Sequence, residues 1–175
     1  MDANLARETA ETLNVGEIAM NIVEFYEQTR SQEGARVVNA SSIDTNAPIY
    51  IRAYETPFAQ VLRNLIDNAL TFSPETGEVV VTAKKEGGRV VFTVEDDGPG
   101  IPEDNLETVF DRFYTQRPKG ASFGSHSGLG LAICRQIITA HRGKIFAENR
   151  MNEQGEIIGA KFTVDVPRQR PSSEN

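Results

Sequence analysis

The fold is decided by the stretch RVVFTVEDDGPGI, which occupies residues 89–101. Its larger apolar side chains alternate over Val90–Val94, which predicts a strand with one buried face. Asp96 has the same parity, so its carboxylate is predicted to point inward, whereas Asp97 points the other way. A buried carboxylate needs a hydrogen-bond partner. The stretch is therefore either an ordinary Asp-Gly and Pro-Gly turn or a place where a ligand supplies the donor and the glycines let backbone approach it.

Composition limits the class of protein. The 175 residues carry a net charge of −7, 39% hydrophobic residues and one cysteine, which predicts a single soluble globular domain without an internal disulfide. The acidic balance argues against nucleic-acid binding. The absence of a long apolar run predicts no membrane contact by this segment. A bound nucleotide stays compatible with this charge if local cations or a metal neutralise its phosphates.

The order of predicted elements indicates an α/β sandwich of two layers, in which helices cover one face of a mixed sheet. Residues 1–14 are polar and helix-prone, and are predicted to be a stub at the end of a helix. The domain is predicted to span residues 15–167, followed by a polar tail at 168–175. Helices are predicted over 15–32, 57–72, 102–113 and 128–141, and strands over 36–38, 49–53, 78–84, 89–96, 144–148 and 157–166.

Two asparagines stand in register on the helix predicted over residues 57–72. Asn64, Asn68, Thr71 and Phe72 form a stripe along the border of its apolar face. Asparagine is unfavourable inside a helix, so this pair costs helix propensity without an obvious structural return. Amide oxygens suit Mg²⁺, which keeps waters and phosphates as its other ligands. The alternative is an ordinary solvated helix face.

A loop without periodicity follows the short helix predicted after residue 101. Phe110 and Phe113 are spaced to anchor the root of this loop in the core. Arg112, Arg117 and Lys119 form the densest basic group in an acidic chain and could meet phosphate oxygens. A loop of this length in a compact domain is typical of a lid, here predicted over about 102–127. The alternative is a surface loop with a few charges.

The segment GSHSGLGLA, residues 124–132, runs from glycines directly into a helix. The unpaired N–H groups and the dipole at such a helix start attract anions. The Gly-Lys-Ser/Thr sequence of a P-loop is absent, so a P-loop enzyme is excluded. At the other end, Gly143 is predicted to stop this helix, and His141 is predicted to lie at its end, where a partial positive charge suits the helix dipole.

Taken together, these segments resemble the N, G1, F and G2 boxes of the sensor histidine kinases, in that family's order and at its spacings. The matching segments are Asn64–Ala69, Asp96–Gly100, Phe110–Phe113 and Gly128–Leu131. The resemblance covers nearly the whole chain, from about Val15 to Pro167. It implies the Bergerat ATP-binding fold, which is also that of the gyrase, Hsp90 and MutL ATPases.

The resemblance also implies a role for each site residue. Asp96 would accept a hydrogen bond from the adenine amino group, and Asn68 would ligate Mg²⁺ with Asn64 assisting. Arg112 joins the two asparagines as an implied catalytic residue. The residues implied to contact ATP are Asn64, Asn68, Phe72, Asp96, Gly98, Gly100, Ile101, Arg117, Lys119, Ser127, Gly128, Leu129, Gly130 and Leu131.

The sequence departs from the family's pattern in two places. Thr71 stands where the family usually has Lys, Arg or His, which removes one cation from the phosphate site. Arg112, Arg117 or Lys119 would compensate. The lid sequence Gly-Ser-His-Ser-Gly-Leu-Gly replaces the more frequent Gly-Thr-Gly-Leu-Gly, and resembles that of envelope-stress sensor kinases of the ChvG/ExoS type.

In the sensor histidine kinases the acceptor histidine is followed by an acidic residue, and neither histidine of this chain matches that pattern. His126 precedes Ser127, and His141 precedes Arg142. The resemblance therefore implies that ATP–Mg²⁺ bound here gives its γ-phosphoryl group to a histidine on a dimerisation domain presented in trans, with a response regulator downstream. It implies a cytoplasmic domain whose full-length protein is an inner-membrane sensor kinase.

Three alternatives share the fold. The related ATPases place a glutamate, acting as base for water, where this chain has Asn64, and an amide cannot take a proton at neutral pH. This difference argues for phosphotransfer by positioning and charge neutralisation. A serine kinase and a non-catalytic nucleotide-binding module, with Thr71 marking a degenerate site, stay open.

Overall fold

A computed structural model describes residues 9–29, 36–37, 43, 48–112 and 130–169 of the chain. Strands and helices are numbered separately along the chain. The strands are β1 Glu11–Asn14, β2 Arg36–Val37, β3 Tyr50–Ala53, β4 Glu78–Glu86, β5 Arg89–Glu95, β6 Lys144–Met151 and β7 Ile157–Pro167. The helices are α1 Val15–Thr29, α2 Glu55–Phe72 and α3 Gly130–Ala140, and two single 3₁₀ turns occupy Glu103–Asn105 and Thr108–Phe110.

The main sheet has the strand order β2-β4-β5-β7-β6. The β2–β4 pair is parallel and the other pairs are antiparallel, so the predicted mixed sheet is confirmed. A separate two-stranded sheet joins β1 to β3. β7 lies between β5 and β6 and is antiparallel to both. The C-terminal ends of β5 and β6 therefore lie beside the N-terminal end of β7, at one end of the sheet.

The core lies between the helices and one face of the sheet, which confirms the predicted two-layer sandwich. Alternate residues of β4 and β5 point into it, as the period of two requires. The apolar face of α2 packs against them. The α2 residues buried in this core are Pro57, Phe58, Val61, Leu62, Leu65, Ile66, Ala69 and Leu70.

The helical character predicted for residues 1–14 is wrong at its C-terminal end, because residues 11–14 form strand β1. Leu13 is buried there, and β1 pairs with β3. The Asn14 side chain ends the strand and caps α1, since its Oδ1 accepts hydrogen bonds from the N–H groups of Gly16 (3.1 Å) and Ile49 (3.3 Å). Asparagine at such a position favours a helix start, which explains why α1 begins at Val15 as predicted.

The helix predicted over residues 102–113 is also wrong, because the described part forms only two 3₁₀ turns. Within that described part, buried side chains occur only at Val109 and Phe110, near its end. A helix without an apolar stripe gains too little from packing to offset its nucleation cost. The strand predicted over 144–148 is longer than expected and continues to Met151.

The ring of His141 is fixed at the end of α3. Its Nε2 accepts the Tyr54 N–H (3.1 Å), and its Nδ1 lies 2.7 Å from the carbonyl oxygen of Ile137. This pair of contacts requires a neutral ring with its proton on Nδ1. The ring connects α3 to the start of α2, and its Nδ1–H brings a partial positive charge to a carbonyl oxygen at the end of α3.

Arg142, directly after His141, has a φ of +61°. We expect Arg142→Gly to raise the free energy of unfolding by about 0.5–1 kcal/mol, because the left-handed conformation strains every residue with a Cβ atom. Chemical denaturation measures this change. Gly143→Ala is the matched control and should destabilise, since a Cβ there would lie 2.6 Å from the carbonyl oxygen of Asp165. A loss of stability in Arg142→Gly would contradict the claim that Arg142 is strained by its left-handed conformation.

Candidate functional site

The end of β5 places a carboxylate inside the protein. Asp96 is 2% exposed, which confirms the inward orientation predicted from its parity. Its Oδ1 accepts hydrogen bonds from the N–H groups of Gly98 (2.8 Å) and Ala160 (3.1 Å). No donor from the described residues reaches its second oxygen, Oδ2. A buried oxygen without a donor is costly, so Oδ2 is the atom of this site to which a ligand could donate.

The electrostatics of Asp96 follow from this geometry. Burial raises the pKa of its carboxyl group, and the hydrogen bonds from Gly98 and Ala160 and the charge of Arg150 only partly oppose that rise. Burial therefore makes the ionised form of this carboxyl group costly. A ligand that donates to Oδ2 would stabilise the charged form, which is the form that accepts most strongly.

Asp97 has a structural role. Its Oδ2 accepts the Glu78 N–H (2.8 Å), and its Oδ1 lies 3.0 Å from Nη1 of Arg150. Burial raises its pKa, but these two partners outweigh burial and hold the pKa below its usual value. Its backbone N–H donates to Oγ of Ser73 (3.0 Å). Asp97 thus fixes the end of β5 to β4 and β6, with both carboxylate oxygens in use.

Two glycines allow the turn of residues 96–101, here called the Asp96 turn, to pack closely. A Cβ at position 98 would lie 2.7 Å from the carbonyl oxygen of Phe72, at the end of α2. Gly100 has a φ of +79°, and a Cβ there would collide with the side chain of Ile157. Packing against the Phe72 carbonyl thus requires glycine at position 98, and the positive φ favours glycine at position 100. Their predicted contact with adenine stays a prediction.

The C-terminal end of α2 meets the Asp96 turn. Asn68 is half-buried one turn before Phe72, whose carbonyl faces Gly98. The Thr71 hydroxyl donates to the carbonyl oxygen of Asp67 (2.9 Å), which lies four residues earlier in the same helix. Amide oxygens at this helix end have the chemistry to hold Mg²⁺ beside a phosphate. Within the described ranges no group of three or more His, Cys, Asp or Glu residues is placed to hold a metal.

Asn64 contacts the neighbouring helix. Burial raises the pKa of the Cys134 thiol to about 12, and a hydrogen bond with the Asn64 side chain lowers it only in part. The thiol also lies 3.9 Å from the carbonyl oxygen of Val61. Cys134 is therefore an inert buried thiol, and the Asn64 side chain lies beside it.

Phe110 anchors the segment that follows the Asp96 turn, as predicted. It is 3% exposed, and its ring meets that of Phe162 edge-on at 6.0 Å. The guanidinium of Arg135 lies 4.4 Å from the Phe110 ring centroid and pairs with Glu107 at 2.7 Å. A cation over an aromatic face is attracted by the ring, so α3 is fixed to this segment.

Several predicted site residues lie outside the described residues. They are Phe113, Arg117, Lys119, Ser127, Gly128 and Leu129. Arg112 is exposed at the edge of the described range, Gly130 begins α3, and Leu131 is half-buried. The phosphate contacts predicted for this group stay predictions.

Sequence reasoning missed Asn149 and Arg150 of β6. The Asn149 side chain makes two hydrogen bonds of 2.7 Å with the N–H and carbonyl of Ile101. Arg150 donates from Nη1 to the carbonyl oxygen of Asp96 (2.5 Å). No local signal could have identified them, because the predicted strand ended at residue 148 and their contacts depend on the pairing of β6 with β7.

Comparison with known proteins identifies the family. The model of the histidine kinase-, DNA gyrase B- and HSP90-like ATPases matches residues 53–170. The chain belongs to this family. Among solved structures, the catalytic domain of histidine kinase ThkA is 30% identical with a TM-score of 0.70, over 91% of this chain and 96% of that one. The mycobacterial sensor histidine kinase MprB is 25% identical with a TM-score of 0.72, over 93% of this chain and 100% of that one.

The curated relatives agree with this assignment. Sensor protein ChvG of Rhizobium meliloti is 37% identical over 95% of this chain, and ChvG of Agrobacterium fabrum is 34% identical over 95%. The predicted similarity to ChvG-type sensor kinases is confirmed. The chain spans 30% and 29% of the length of these two relatives. Among the described helices, none is long and apolar enough to cross a membrane.

Proposed function

We propose that this domain binds ATP with Mg²⁺ and supplies the γ-phosphoryl group to a histidine on a dimerisation domain presented in trans. The observation that carries the proposal is the buried carboxylate of Asp96, whose Oδ2 has no donor among the described residues. The exocyclic amino group of adenine is a donor of the right kind, because it can give a short hydrogen bond to a charged, buried acceptor.

The rest of the nucleotide is proposed to extend from the Asp96 turn along the end of α2. Gly98, Gly100, Ile101 and Phe72 would border the base. Asn68, assisted by Asn64, would hold Mg²⁺, which neutralises phosphate charge when it is bound. The phosphates would meet Arg112, Arg117, Lys119, Ser127, Gly128, Leu129, Gly130 and Leu131.

Phosphotransfer is favoured over hydrolysis by the amide at position 64. An amide cannot act as the base that activates water. The acceptor is proposed to lie on another domain, because both ring nitrogens of His141 are already engaged by Tyr54 and Ile137. His126 lies outside the described residues and lacks the acidic neighbour of the family's acceptor.

The setting of the domain is proposed from its relatives. They are named sensor proteins and sensor kinases, and a structure of ThkA in complex with response regulator protein TrrA is 29% identical with a TM-score of 0.67. We propose a cytoplasmic position within a membrane-anchored sensor kinase and a response regulator downstream.

Incubation with γ-labelled ATP and Mg²⁺ tests this proposal. We expect label on a separately supplied dimerisation domain, and none on that domain when its acceptor histidine is replaced by alanine. This chain alone should stay unlabelled. Stoichiometric label on this chain, or steady phosphate release by the pure protein that is lost in Asn64→Ala, would contradict the proposed transfer.

A further inference from the structure

Two neighbouring residues of β6 hold the two ends of the Asp96 turn. The Asn149 amide pairs with both backbone polar groups of Ile101, at 2.7 Å each. Arg150 binds the other end, donating to the carbonyl oxygen of Asp96 (2.5 Å) and to Oδ1 of Asp97 (3.0 Å). The turn is thus fixed by side chains from a strand that is not adjacent to it in the sequence.

The hairpin of β6 and β7 is shaped around these contacts. Gly159 pairs with Arg150 across the hairpin. A Cβ at position 159 would lie 3.0 Å from Nη1 of Arg150 and would collide with the carbonyl group of Asp96. The register shifts between Arg150 and Met151, and such an irregularity re-aims side chains at the end of a strand. The hairpin thereby leaves room for the guanidinium beside the turn.

The partly buried guanidinium of Arg150 has acceptors that balance its charge. Its side chain is 27% exposed, and its Nε lies 3.5 Å from Oε1 of Glu95. With Asp97 it therefore contacts two carboxylates and one carbonyl oxygen. A planar guanidinium can satisfy several acceptors in fixed directions, which an ammonium cannot do.

We propose that Asn149 and Arg150 are positioning residues that aim the Asp96 carboxylate at the base of the nucleotide. This inference rests on the proposed function, in which Oδ2 of Asp96 accepts the adenine amino group. Oδ2 has a fixed direction only if the backbone on both sides of it is fixed. Asn149 holds that backbone at Ile101 and Arg150 holds it at Asp96 itself, while the N–H of Ala160 holds Oδ1.

A positioning role makes a prediction that a purely structural role does not. Loss of either side chain should weaken recognition of the 6-amino group specifically, because misplacement of a recognising group by about 1 Å can cost up to 100-fold. The readout is the ratio of two dissociation constants, that of purine riboside triphosphate, which lacks the 6-amino group, divided by that of ATP. A general loss of folded protein lowers both affinities equally and leaves this ratio unchanged.

The experiment measures both constants with Mg²⁺ for the wild-type chain, Asn149→Ala, Arg150→Ala and Arg150→Lys, each well below its melting temperature. Glu148→Ala is the control, because Glu148 is an exposed residue of the same strand. We expect the ratio to fall at least about threefold in both alanine variants, to be intermediate in Arg150→Lys, which keeps the charge but loses the planar guanidinium, and to be unchanged in Glu148→Ala.

The outcomes separate the two proposals. No ATP binding by the wild-type chain would overturn the proposed function and this inference with it. Wild-type discrimination with an unchanged ratio in Asn149→Ala and Arg150→Ala would overturn the positioning role alone. If an alanine variant does not fold, Arg150→Lys decides, since an unchanged ratio in that variant contradicts the need for a guanidinium.

Discussion

Asp96→Asn is expected to weaken ATP binding by about 100-fold or more while the protein stays folded. In the variant the side-chain oxygen can still accept hydrogen bonds from the N–H groups of Gly98 and Ala160, so the NH2 group of the amide takes the place of Oδ2. Its N–H donors would then face the amino group of adenine. The loss combines a hydrogen bond to a charged acceptor, worth about 1.5–3 kcal/mol, with the cost of two opposed donors.

The melting temperature of Asp96→Asn without nucleotide should equal or exceed that of the wild type. Burial raises the pKa of this carboxyl group, so the folded state binds a proton more readily than the unfolded state. Stability therefore falls as the pH rises through the folded-state pKa, and at neutral pH the ionised group costs stability. A neutral amide of the same shape removes that cost.

Asp97→Asn is the matched control, one residue away. The pKa of Asp97 is lowered, so its contribution to stability is present above its ordinary value of 3.8 and is lost as the pH falls below it. At neutral pH we expect Asp97→Asn to lower the melting temperature and to weaken ATP binding much less. Titration calorimetry and thermal melts measure both. If Asp97→Asn lost ATP binding while Asp96→Asn retained it, the proposal that Asp96 accepts the adenine amino group would be contradicted.

Gly159→Ala is expected to have the largest effect on stability, with a loss of about 3 kcal/mol or more. The added Cβ would collide with the backbone carbonyl of Asp96. That carbonyl belongs to a paired strand end, because the Asp96 N–H donates to the carbonyl oxygen of Ala160 (2.9 Å). Backbone held in this way cannot move aside as a flexible side chain could, so the overlap must separate β7 from the Asp96 turn.

Gly88→Ala is the control for this substitution. A Cβ at position 88 would meet nothing within 4 Å, so we expect a change of less than about 0.5 kcal/mol. Denaturant unfolding compares the two variants. Equal stability of Gly159→Ala and Gly88→Ala would show that the close approach of β7 to Asp96 is not rigid, and would weaken the argument that the hairpin positions the turn.

The sequence predicted those parts of the fold that depend on local periodicity. The apolar stripe of α2 and the alternation of β5 are dictated by neighbouring residues, and the parity of β5 alone was enough to predict that Asp96 points inward. The same reasoning failed for residues 11–14. Their propensity is helical, but pairing with β3 and burial of Leu13 make them a strand, since tertiary contacts override a weak local preference.

The parts that the sequence could not predict depend on contacts between distant segments. Asn149 and Arg150 lie far along the chain from the turn that they hold, and their role follows from the strand order and the bulge in β6. The neutral state of His141 follows from its contact with Tyr54, 87 positions away in the sequence. In each case the side chain is unremarkable on its own element, and only the packing of two elements gives it a partner.

The measurement that tests the central claim most directly is a calorimetric titration of the wild-type chain with ATP and with purine riboside triphosphate, each with Mg²⁺. These nucleotides differ only in the 6-amino group that Oδ2 of Asp96 is proposed to accept. We predict that ATP binds about 10- to 100-fold more tightly, the value of one hydrogen bond to a charged acceptor. Equal affinities for the two nucleotides, or no binding of ATP, would contradict the claim that Asp96 recognises adenine.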